Sequence, residues 1–61
     1  MKATLTIQMD NAAFDPCPGI ELARILEQAA RWVKEIYGGA HSLNLKDHNG
    51  NTVGSLTIEE D

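Results

Sequence analysis

Between Ala3 and Met9 apolar and polar side chains alternate, with Ala3, Leu5, Ile7 and Met9 on one side and Lys2, Thr4, Thr6 and Gln8 on the other. Period two marks a strand with one buried face, which predicts β1 over about 2–9. The pattern breaks at Asp10-Asn11-Ala12-Ala13, and Phe14 ahead of Asp15-Pro16-Cys17-Pro18 reads as a hydrophobic staple at a helix entrance, where proline is tolerated. From Pro18 the period becomes helical. Leu22, Ile25, Leu26, Ala29, Val33 and Ile36 form one stripe, and Glu21, Arg24, Glu27, Gln28, Arg31, Lys34 and Glu35 lie opposite. A helix over about 18–37 is predicted, ended by Gly38-Gly39. Two further strands, about 41–47 and 52–59, flank Asn49-Gly50, which predicts a two-residue type I′ hairpin. That turn sets His48 opposite Asn51, Asp47 opposite Thr52, Lys46 opposite Val53 and Leu45 opposite Gly54. Leu43, Leu45, Leu56 and Ile58 then share the inner face. The outer face takes Thr4, Thr6, Ser42, Asn44, Lys46, Val53, Ser55 and Thr57.

The order of elements is therefore βαββ, an α+β fold in which one long helix covers a three-stranded sheet. A helix that returns the chain across the sheet lets β3 lie between β1 and β2, giving the all-antiparallel order 1-3-2. A right-handed crossover placing β1 beside β2 as a parallel pair is the alternative. Both arrangements leave two strand edges open. With 61 residues the chain has room for one domain. A single core of this size supplies only about 3–5 kcal/mol, so a second copy is an expected source of stability.

Composition narrows the function. Nine acids against five bases give a net charge of −4, which disfavours binding to a phosphate backbone. Cys17 is the only cysteine, so an internal disulfide is excluded and a reducing cytoplasm is expected. No apolar run is long enough to span a membrane. Chemistry is sparse: Cys17 lies at the helix start while His41 and His48 lie in the hairpin. His41 reads as a sheet-edge residue and His48 as a solvated turn residue. No spacing suits a metal, no glycine pattern suits a nucleotide phosphate, and neither a cofactor nor catalysis is expected.

What remains is surface. Trp32 and Tyr37 lie on opposite flanks of the apolar stripe, and large aromatics are common interface anchors. With Gln28, Arg31 and Glu35 on the helix and Thr4, Thr6 and Asn44 on the outer sheet face, they form the candidate interface. An open edge of β1 or β2 could also pair with a partner strand or a second copy.

Three stretches carry a resemblance: Thr4-Leu5-Thr6-Ile7 leading into Asp10-Asn11-Ala12-Ala13-Phe14, then Glu21-Leu22-Ala23-Arg24-Ile25-Leu26, then Asp47-His48-Asn49-Gly50-Asn51-Thr52-Val53-Gly54. In these the chain resembles small phage and prophage proteins of unassigned function. The resemblance implies no catalytic residues. By analogy with small acidic phage proteins, it implies a protein-binding inhibitor of a bacterial defence complex, anti-CRISPR-like, acting by surface occlusion in the host cytoplasm. A homodimeric accessory protein is the alternative expectation, and a nucleic-acid binder or mimic the weakest.

Overall fold

A computed structural model describes residues 1–35 and 41–60. Strand β1 (Lys2–Ile7) is followed by a 3-10 turn (Ala12–Phe14), helix α1 (Pro18–Lys34) and strands β2 (His41–Lys46) and β3 (Thr52–Glu59). The sheet is antiparallel throughout, in the order β1-β3-β2, with α1 packed against it. The parallel alternative is thereby set aside. Helix and strand bounds are close to those expected, except that β1 stops at Ile7 and β2 at Lys46. Helix α1 passes into its C-cap at Glu35, and the predicted end at Tyr37 and Gly38-Gly39 falls outside the described residues.

The hairpin turn differs from expectation. Gly50, at φ 86°, is the only described residue with positive φ, whereas a type I′ turn needs a second one at Asn49. Gly50 N–H donates to Asp47 O at 3.0 Å, and Asp47 N–H to Asn51 O at 2.9 Å. These bonds define a three-residue loop, a type I turn followed by glycine in the left-handed region. Asp47 explains the preference: its carboxylate accepts the N–H groups of Asn49 and Asn51, each at 2.9 Å, and stabilises the wider loop. Gly50→Val is expected to cost about 1–2 kcal/mol, since a branched side chain resists positive φ, and a urea midpoint unchanged from wild type would contradict this.

The longer loop is absorbed by a bulge. Leu45 still faces Gly54, Leu43 faces Leu56 and His41 faces Ile58, but Lys46 faces Thr52 rather than Val53. The extra residue on β3 turns Val53 inward, so that it belongs to the core and not to the outer face. Phe14, Ile25, Ala29, Leu45, Val53 and Leu56 are the buried apolar residues, with Ile7, Ala13, Trp32 and Leu43 packed around them. Phe14 does more than staple the helix entrance. Asn11 caps its 3-10 turn through a 2.9 Å bond from Ala13 N–H, and the ring fills the centre of the core.

Helix α1 is also rotated from the orientation its apolar stripe predicts. Its buried residues are Glu21, Ile25 and Ala29, with Trp32 half-buried. Leu26 and Val33, expected inside, are 42% and 38% exposed. On β1 only Ile7 is partly covered, and Leu5 is 41% exposed. The helix lies toward β2, leaving the inner face of β1 largely open.

Candidate functional site

The reason for the rotation is polar. Glu21 is buried in the first turn of α1 and accepts two bonds from Arg24, Nε and Nη2, both at 2.8 Å. It also accepts the backbone N–H of His48 at 2.8 Å. Arg24 in turn donates to Lys46 O at 3.0 Å. Asp47, also buried, takes Asn11 Nδ2 at 2.8 Å besides its two loop amides. The two carboxylates therefore tie the helix start and the β1–α1 connection to the tip of the hairpin. Sequence reasoning placed Glu21 and Arg24 on the solvated face and His48 in a solvated turn. The His48 side chain is indeed exposed, but its amide is committed to Glu21.

Arg24 holds Glu21 below the ordinary carboxylate range, against the opposing push of burial, with the His48 amide helping. At Asp47 burial pushes upward, and the bonds from Asn51, Asn11 and Asn49 outweigh it, so its pKa also falls. A carboxylate whose pKa falls on folding stabilises fully above its unfolded value and loses that contribution as pH drops through the folded value. The melting temperature is therefore expected to hold between neutrality and about pH 5 and to decline below about pH 4. Asp47→Asn should flatten that acid limb, and a wild-type melting temperature unchanged down to about pH 2 would contradict the assignment.

A cavity of about 250 Å³ opens between α1 and the free edge of β2. Ile25, Gln28, Ala29 and Trp32 line it from the helix, and Leu43, Asn44, Leu45 and Lys46 from the strand. Three of the expected interface residues, Gln28, Trp32 and Asn44, thus meet at one place. Arg31 and Glu35 are exposed on the helix, Arg31 one turn beyond Gln28. Thr4 and Thr6 lie on β1, at the opposite edge of the sheet. Tyr37 is outside the described residues. Trp32 contacts His41 edge to face, at 6.2 Å between ring centroids.

The strand wall of this groove has backbone to offer. Asp47 turns both its N–H and its C=O toward β3, and the antiparallel alternation then directs those of Ser42, Asn44 and Lys46 to the open edge. Lys46 O is the one already taken, by Arg24.

A second cleft, lined by Ala13, Asp15, Pro16, Cys17, Ile20, Glu21 and His48, brings Cys17 and His48 together, which their separation in the sequence did not suggest. Among the described residues no hydrogen bond links thiol and imidazole, and no group of three His, Cys, Asp or Glu side chains is placed to hold a metal. Glu21 is engaged by Arg24 and His48. No helix among the described residues is long and apolar enough to cross a membrane.

No family model matches the chain, and no curated protein or solved structure matches it significantly.

Proposed function

We propose that this chain is a small, non-enzymatic protein-binding module that takes an extended segment of a partner protein as a fourth strand along β2. The observation that carries the reading is the pairing of two features: outward backbone groups at Ser42 and Asn44, and an apolar cavity directly above them, floored by Leu43 and Leu45 and walled by Trp32. Main-chain bonds at a sheet edge supply affinity, and a pocket for alternate side chains supplies selectivity. Trp32 is half-buried and packed on the core, so it is held in place before a partner arrives. The likeness to small phage proteins puts a bacterial defence complex in the host cytoplasm first among partner classes, with surface occlusion as the mode of action.

Asn44→Pro tests this reading. Its N–H points outward, so proline removes an edge donor without removing a bond to β3. The variant is expected to keep its circular dichroism spectrum and to lose the partner captured by wild-type chain from host lysate. Trp32→Ala should also lose it. Undiminished capture by a folded Asn44→Pro variant would exclude strand addition at β2.

A second reading, a homodimer, is favoured by the apolar surface left uncovered on β1 and α1, where Leu5, Leu26 and Val33 are each about two-fifths exposed. Sedimentation equilibrium separates the two: a monomer at micromolar concentration removes the homodimer.

A further inference from the structure

We infer that the segment accepted by the β2 edge is acidic, carrying Asp or Glu immediately beside the apolar residue that fills the cavity. This rests on the strand-addition reading above. On an added strand, side chains alternate between faces. A residue opposite Leu45 points to the helix side, into the space bounded by Ile25, Ala29 and Trp32. Its neighbour opposite Lys46 emerges on the outer face, beside the Lys46 ammonium, where an opposite charge is the favourable cross-strand pair.

The whole chain carries −4 with only five Lys and Arg, yet Lys46 lines this groove and Arg24 reaches its end through Lys46 O. Glu21 and Arg24 neutralise one another, Glu35 stands at the other end of the helix, and Lys46 is left as the cation at this end of the groove. Arg24 also closes the edge: by occupying Lys46 O it stops a ladder from running on toward the hairpin tip and leaves its guanidinium beside the last position of the added strand. A carboxylate there meets the Lys46 ammonium, whereas a lysine or arginine meets a like charge; the Arg24 charge is already matched by Glu21.

The test is selection from a yeast-displayed library of random nonapeptides against the full chain, with Trp32→Ala as counter-selection. The expected result is enrichment of clones with Asp or Glu next to Leu, Ile or Phe. A synthetic peptide of the enriched sequence should bind with a change in the fluorescence of Trp32, the only tryptophan. Lys46→Glu, at an exposed position, should weaken that peptide at least about tenfold. Enriched clones that are neutral or basic, bound equally by Lys46→Glu, overturn the acidic preference and leave strand addition standing. No clone enriched over the counter-selection, or a peptide still bound after N-methylation of the amides facing β2, overturns strand addition with it.

Discussion

Gly54→Val is expected to leave the chain unfolded at room temperature. A Cβ at this position would collide with the backbone carbonyl oxygen of Thr6 and would stand 2.9 Å from both Ile7 Cα and Thr6 carbonyl carbon. These are backbone atoms of the neighbouring strand, so no rotamer change relieves the overlap; β1 itself has to move away. That movement breaks the Thr6–Ser55 and Ile7–Gly54 end of the β1–β3 ladder and uncovers Val53, whose carbonyl accepts Gln8 N–H at 2.7 Å. Even Gly54→Ala meets the same obstacle, because the clash belongs to the first side-chain atom. The contrast is Gly19, where an added Cβ has nothing within 4 Å and Gly19→Ala should be tolerated. Circular dichroism of the three variants decides the matter: a cooperative melt of Gly54→Val near the wild-type temperature would show that β1 is not held where described.

The second large effect is expected at Ile25, and its value lies in comparison with Leu26. Ile25 is 1% exposed, while Leu26 is 42% exposed. Ile25→Ala leaves a cavity against Leu45, Val53 and Leu56 and should cost about 2–5 kcal/mol, comparable with the whole stability of a core this size. Leu26→Ala should cost under about 1 kcal/mol. Chemical denaturation of the pair reads the phase of the helix directly. Equal losses would mean that α1 sits on the sheet by the stripe centred between the two residues, and that Glu21 is not buried.

Much of this architecture is legible in the linear pattern because each signal is local. Alternation in 2–9 and 52–59, the 3.6-residue period after Pro18 and a glycine turn at Asn49-Gly50 each depend on neighbours a few positions away. The antiparallel order 1-3-2 is the favoured of two orders open to a helix that returns the chain, and the folded sheet decides for it. The candidate interface was legible in part. Gln28, Trp32 and Asn44 were identified as surface residues of two different elements, but only packing shows them lining one cavity. The commitment of Arg24 to Lys46 O, which bears on the end of that groove, had no signal in the spacing.

The failures have one physical origin. A period-100° stripe averages over apolar residues and treats every carboxylate as solvated, so Leu22, Leu26 and Val33 outvoted Glu21. In the folded chain Glu21 has found three donors, two on Arg24 and the His48 amide, and a carboxylate so supplied tolerates burial. The same holds for Asp47, whose bonds to Asn49 and Asn51 select the three-residue loop over the tighter turn and thereby introduce the bulge at Val53. Chain-local preference by itself determined the number, type and sequence of the elements, the helix start and most of the hairpin register. The tertiary structure alone decided the rotation of α1, the inward turn of Val53, the need for glycine at 54 and the groove on β2. The rotation and the turn of Val53 depend on which distant group satisfies a buried carboxylate, the glycine at 54 on how closely β1 approaches β3, and all are settled only when the elements meet.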